Sequence, residues 1–338
     1  MDYQINFPHL GIFLENVIKN FKIGNFTVAM YGVMIALALL AALTMVRVRA
    51  KQTGQSEDDY FTLFIVLIIF GFLGARLYYV LFSWDYYGKH LNELLDFRGG
   101  GLAIYGGLIA GTIAIIIFCK KKKMNVFTIL DTVVMGVALG QIIGRWGNFF
   151  NREAFGSYTD SLFAMQLPVS AVRQNEITQE MWDHVQTING IQFIQVHPTF
   201  LYEGMWNLGL LILLYIFRNR TKFKGETFFR YLIGYGIGRF WIESLRTDQL
   251  QIGDTGIPIS MVVSGTAVVV SLICVIIGRR KNAEKPVLNG AAANNAASDQ
   301  TQDGAKEEIF EKIEDTNNTE AVNAEDKQDT LSSDGKHN

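Results

Sequence analysis

Two stretches of the chain place arginine, amide and carboxylate side chains among apolar residues. GRWGNFFNREAFG (144–156) closes an apolar run with Arg145, Asn148, Asn151 and Glu153. YLIGYGIGRFWIESLR (231–246) carries Tyr235, Arg239, Glu243 and Arg246 at intervals of four, four and three. On an α-helix those intervals put all four side chains on one face, where Arg239 and Glu243 can pair. A third stretch, HPTFLYE (197–203), brings Glu203 to the head of another apolar run. A guanidinium offers a rigid fork of donors that matches phosphate. Several such forks in an apolar enclosure, more arginine than acid, point to an anionic lipid head group as ligand. The plainer reading is that arginines at helix ends snorkel to the interface, which suits Arg246 and Arg76 best. Asn148 and Asn151 could equally cap the end of their helix.

The apolar runs that carry these groups are long. FTLFIVLIIFGFLGARLYYVLF (61–82) and ISMVVSGTAVVVSLICVII (259–277) reach the roughly 20 residues that cross a bilayer. Neither has the polar face that a soluble amphipathic helix shows at a 3.6-residue period. The chain therefore reads as an all-α integral membrane protein. Seven spans are expected, at 27–46, 61–82, 101–119, 126–144, 200–217, 227–244 and 258–277. An ionisable group near a span's centre costs about 2.5–3.5 kcal/mol on insertion scales and marks function. Basic clusters follow spans one, three, five and seven: Arg47 to Lys51, Lys120 to Lys123, Arg218 to Lys224 and Arg279 to Lys281. The positive-inside rule then places the N-terminus outside and the C-terminus in the cytoplasm. Arg145 falls at the outer end of span four.

Charge divides the chain further. Of 338 residues, 32 are acidic and 30 basic, but residues 283–338 hold 13 of the acidic and 5 of the basic ones. The other 19 acidic and 25 basic residues belong to the membrane part. A polar tail with so few apolar residues cannot bury a core, and is expected to be disordered, cytoplasmic and dispensable for chemistry. The organisation expected is a seven-helix catalytic domain over 1–282, with 157–195 as an outer-face insertion, then the tail. Cys119 and Cys274 sit in apolar runs and read as buried small hydrophobes. The five histidines are scattered and no phosphate-loop motif is present, so neither metal nor cofactor is expected. No signal-peptide pattern precedes the first run.

Glycine is dense in RGGGLAIYGGLIAG (98–111) and recurs at Gly140, Gly144 and Gly147 and at Gly234, Gly236 and Gly238. Close helix packing is its ordinary use in membranes. Around Tyr105 it could also let a lipid approach the phenol. A transporter of an anionic solute is the rival class. It would bind near mid-membrane and show internal repeats, whereas these polar groups lie mostly in the outer half and no repeat is visible.

Taken together, GRWGNFFNREAFG, GGGLAIYGGLIAG, HPTFLYE, GYGIGRFWIESLR and MYGVM (30–34) resemble the blocks of the prolipoprotein diacylglyceryl transferases, in that family's order, over about 27–277. The resemblance implies a multi-pass enzyme of the bacterial cell membrane. It would move the diacylglyceryl group of phosphatidylglycerol to the lipobox cysteine thiol of a prolipoprotein and release glycerol 1-phosphate. On this reading Arg145 and Arg239 stabilise the phosphate leaving group, with Arg246 in support. Tyr31, Asn148 and Asn151 contact the lipid or orient Arg145, and Glu153, Glu203 and Glu243 hold the arginines. Where Tyr105 stands, many members carry the histidine regarded as general base. A phenol, with a pKa near 10, is a poor base at neutral pH. Tyr105 is either that base or an orienting group, with the proton passing to Tyr235, the phosphate or water. His197, beside Pro198, reads as a brace for the start of span five.

Overall fold

A computed structural model describes residues 3–94, 96, 100–253 and 255–283. The tail expected from residue 283 onward lies outside the described residues, apart from Ala283 itself.

Seven long helices dominate: α1 (Met30–Gln52), α2 (Glu57–Phe82), α4 (Ile104–Lys122), α5 (Val126–Asn151), α7 (Thr199–Ile216), α8 (Glu226–Leu245) and α9 (Ile259–Ala283), with short α3 (Trp84–Tyr87) and α6 (Gln179–Asp183) between them. Local chemistry sets their ends. Ser56 accepts from the Asp59 N–H at the start of α2, where Glu57, Asp58 and Asp59 complement the helix dipole. Asn125 caps α5 through Thr128 N–H. The cations sit at the other pole, with Lys120, Lys121 and Lys122 in the last turn of α4. Arg47 pairs with Glu57 at 3.4 Å, Lys122 with Asp59 at 2.8 Å and Arg279 with Glu226 at 2.6 Å. Basic helix ends thus meet the acidic starts of neighbours at one end of the bundle.

Six of the long helices are long and apolar enough to cross a membrane, as an integral membrane protein requires. The seventh expected span, α8, has the length, but Glu226, Arg230, Arg239 and Glu243 set it apart. Helix α5 runs to Asn151 and not to 144, so Arg145, Asn148 and Asn151 all stand on it.

The expectation of an all-α chain needs correction. A five-stranded antiparallel sheet, ordered β2-β1-β5-β7-β6, combines β1 (Ile5–Phe7) and β2 (Ile12–Leu14) with β5 (Met165–Pro168), β6 (Gln186–Ile188) and β7 (Ile191–Val196). A separate hairpin, β3 (Asn20–Ile23) and β4 (Phe26–Ala29), leads into α1. These strands are three to six residues long. The pairing of Asn6 with Gln166 joins segments far apart in sequence. Such pairing leaves no local periodicity to read. Ile5, Phe7, Met165, Leu167, Ile194 and Val196 bury one side of the sheet against Phe149, Phe155 and Phe200. The segment 157–195 is thereby seated on the ends of α5 and α7.

Glycine permits the tightest helix contacts. A Cβ at Gly106 of α4 would collide with the Gly74 carbonyl and Tyr78 Cβ of α2, so the two backbones touch there.

Candidate active site

At the end of the bundle that carries the sheet, α5, α7 and α8 converge on one carboxylate. Glu203, near the start of α7, is buried. Arg145 of α5 reaches its Oε1 through Nη2 at 2.5 Å, and Arg239 of α8 reaches its Oε2 through Nη1 at 3.3 Å. Arg239 spends its other nitrogen on Glu243, one turn along α8, at 2.5 Å. That pair is the one the spacing of four implied. Arg246 approaches Glu243 at 3.7 Å and gives its fork to Asp248, with bonds of 2.8 and 2.7 Å. Glu203 and Glu243 have side chains only 3% and 4% exposed, whereas Arg145 keeps 21%, so the carboxylates lie behind the cations.

A second arm runs outward from Arg145. Its Nη1 donates to Asn148 Oδ1 at 3.4 Å, and the Asn148 amide donates to Glu153 Oε1 at 3.1 Å. Asn148 therefore links Arg145 to Glu153 and does more than cap α5. Arg173, from the segment after β5, pairs with Glu153 at 3.5 Å and Glu176 at 2.9 Å. Burial pushes the Glu176 carboxyl above its ordinary value, against the pull of Arg173. Tyr31 packs from α1 against Gly147: a Cβ at position 147 would lie 2.8 Å from its ring, so glycine is what lets the ring come this close to α5. Tyr235 sits one turn below Arg239 and stacks on Tyr231 at 5.6 Å, whose hydroxyl donates to Gln141.

Some expected members stand apart. Among the described residues, the ion pairs and hydrogen bonds of the cluster include neither Tyr105, in the first turn of α4, nor Asn151, in the last turn of α5. Arg76 does not snorkel. It is buried and donates to the carbonyls of Glu93, Leu94, Gly100 and Gly101, fixing the connection from α2 to α4. His197 donates its backbone N–H to Ser157 and places Nδ1 3.2 Å from the Tyr202 hydroxyl, and burial lowers its pKa.

Nor is there the expected arginine surplus. Arg145, Arg239, Arg246 and Arg173 face Glu203, Glu243, Asp248, Glu153 and Glu176. Asp248 could have been suspected, two residues beyond Arg246. Arg173 and Glu176 gave no local sign, because the sheet's tertiary pairing delivers their segment to the site.

An apolar cavity of about 450 Å³ opens between α1, α2, α4 and α5, lined by Leu43, Leu67, Phe72, Leu108 and Val137 among others. Val137 is eight residues before Arg145 on α5, so the cavity begins about 12 Å deeper along that helix.

Comparisons with known proteins place the chain in a family. The sequence model of the family described as prolipoprotein diacylglyceryl transferase matches residues 19–277. A protein of Finegoldia magna is 40% identical over 254 residues, covering 75% of this chain and 92% of its own length. One of Clostridioides difficile is 40% identical over 248 residues, 73% of this chain and 87% of its own. One of Lactobacillus acidophilus is 41% identical over 236 residues, 69% of this chain and 79% of its own. All three bear the name phosphatidylglycerol–prolipoprotein diacylglyceryl transferase. With the match covering most of its length and every block that frames the arginine cluster, the chain belongs to the prolipoprotein diacylglyceryl transferase family.

Proposed function

We propose that this chain transfers the diacylglyceryl group of phosphatidylglycerol to the cysteine thiol of a prolipoprotein, with Arg145 and Arg239 holding the phosphate. The observation that carries the reading is their convergence on Glu203 from different helices. In the reaction the sulfur attacks the glycerol carbon that bears the phosphate. A carbon–sulfur bond forms, the carbon–oxygen bond breaks, and glycerol 1-phosphate leaves. The thiol's proton is balanced by the departing phosphate, so the net reaction needs no outside acid, base or cofactor. Negative charge gathers on the leaving oxygen, and paired donors in a low-dielectric site stabilise it most at that moment.

The remaining residues support this in stated ways. Asn148, held by Glu153, fixes the plane of the Arg145 fork. Glu203 and Glu243 keep both guanidiniums preformed, and Arg246, tied to Asp248, braces Glu243. Tyr31 and Tyr235 flank the arginines and fit the lipid's glycerol. Tyr105 and Asn151, outside the network, orient the lipid at its edge. The cavity of about 450 Å³ receives acyl chain from a head group held at Arg145. The basic ends of α1, α4, α7 and α9 support α8 as a seventh span, an N-terminus outside and a C-terminus in the cytoplasm of a bacterial cell. Residues 1–282 would then be the catalytic domain, with 157–195 on the outer face and 283–338 a cytoplasmic tail without a chemical role.

The test incubates purified protein with labelled phosphatidylglycerol and a lipobox peptide. A thioether-linked diacylglyceryl peptide is expected from the wild type, and none from Arg145→Ala or Arg239→Ala made at normal membrane levels. Turnover retained in either variant would remove the phosphate clamp. Lipid flux across vesicles without product would favour a transporter.

A further inference from the structure

Asn207 stands one turn beyond Glu203 on α7 and is fully buried. Neither its amide oxygen nor its amide nitrogen has a hydrogen-bond partner among the described residues. The next buried residues on that face, Leu210, Leu211 and Leu214, pack against Val134, Met135 and Ala138 of α5 and Tyr231 of α8. In the resting protein an apolar side chain would suit position 207 better than an amide. A buried amide left without partners is rare and asks for a reason.

The charge balance around Glu203 supplies one. Each oxygen of this carboxylate lies at ion-pair distance from an arginine, Oε1 from Arg145 and Oε2 from Arg239, and only the Arg239 contact also has hydrogen-bond geometry. A phosphodiester entering between those arginines competes with Glu203 for their N–H donors and can draw one away. No spare cation stands behind it, since acids already outnumber arginines in the cluster. Glu203 would be left as a buried, partly uncompensated anion, which is costly. Side chains at i and i+4 of a helix are neighbours, about 5–6 Å apart at Cβ. The Asn207 amide is thus an uncommitted donor on the same helix face, one turn from the carboxylate.

We propose that Asn207 is a positioning residue whose amide donates to Glu203 when phosphate draws an arginine away. Its unpaired state is the waiting half of a partner exchange, Arg–Glu to Arg–phosphate and Asn–Glu. The inference rests on the arginine–phosphate reading above.

The test measures kcat and KM for phosphatidylglycerol in Asn207→Leu and Asn207→Asp, and the melting temperature of each in detergent without and with phosphatidylglycerol. Leucine relieves the unpaired amide, so Asn207→Leu should melt roughly 2–4 °C above wild type without lipid. Yet its KM should rise at least tenfold, and the added lipid should stabilise it less. Asn207→Asp keeps the shape, and at a pH high enough to ionise it lacks the donor and should show the same rise in KM. Wild-type KM in either variant, a lower melting temperature for Asn207→Leu, or failure of both to accumulate would overturn the exchange. Arg145→Ala runs beside them: if it still turns over, the arginine reading itself falls. If Arg145→Ala is inactive while Asn207→Leu keeps its KM, only the role of Asn207 is lost.

Discussion

Arg145 and Arg239 hold opposite oxygens of a single carboxylate, Glu203, at 2.5 and 3.3 Å, although they come from α5 and α8 and are 94 positions apart. Two like charges brought this close repel, and the buried anion between them is what lets the pair form. The clamp is preformed in the resting protein, with Glu203 holding the two guanidiniums in place until a phosphate competes for them.

Glu203→Gln should therefore unsettle the protein as well as its activity. Breaking a buried ion pair by removing one partner costs about 3–5 kcal/mol, because the other charge stays buried. We expect a fall in melting temperature and loss of transfer together. An unchanged melting curve would mean the arginines do not depend on Glu203.

Tyr105 lies outside the arginine network, and its role is tested by its chemistry. Tyr105→His should remain active, and Tyr105→Phe should lose less than about tenfold in kcat, since general-base catalysis is worth roughly 10²–10⁴-fold. A loss beyond a hundredfold in Tyr105→Phe would make the phenol the base.

Arg173 is 64% exposed, so solvent screens its pair with Glu153, whereas Glu176 is only 5% exposed and depends on it more. Arg173→Ala should cost about 1–3 kcal/mol in unfolding free energy, the penalty of leaving the Glu176 carboxyl buried without its partner. Its effect should also fall on turnover, through the chain of contacts from Glu153 to Asn148 to Arg145. Equal kcat/KM for this variant and wild type would uncouple the segment from the clamp.

His197 gives a pH dependence of known sign. Burial holds its folded pKa below the ordinary 6.5. The unfolded chain then binds more protons than the folded one as pH falls through that value. Stability from neutral His197 is complete above pH 6.5 and is lost as pH drops through the folded value. Melting curves of wild type should decline between neutral pH and pH 5 more steeply than those of His197→Gln. Parallel declines would assign the acid sensitivity elsewhere.

Asp131 shows how one residue can be plain in the sequence and opaque in its purpose. It interrupts the apolar run of α5, yet only the fold shows its carboxylate accepting the N–H groups of Gly225 and Phe228 at the start of α8. The sheet is the larger case. Nothing local in Ile5–Phe7 announces a partner at Met165–Pro168, because strand pairing is a property of two segments and not of either one.

By itself the sequence determined the membrane class, the positions of the apolar runs, the one-face spacing of Tyr235, Arg239, Glu243 and Arg246, and the blocks that mark the family. Those features depend on periodicity, hydropathy and short-range order, which a linear chain carries in full. Only the tertiary structure decided which charges meet. It gave Glu203 to both arginines and Asp248 to Arg246, brought Arg173 in on the segment after β5, and left Asn207 with no partner among the described residues. Partner choice among buried charges follows from how α5, α7 and α8 pack, since a few ångströms of helix placement settle which carboxylate each guanidinium can reach.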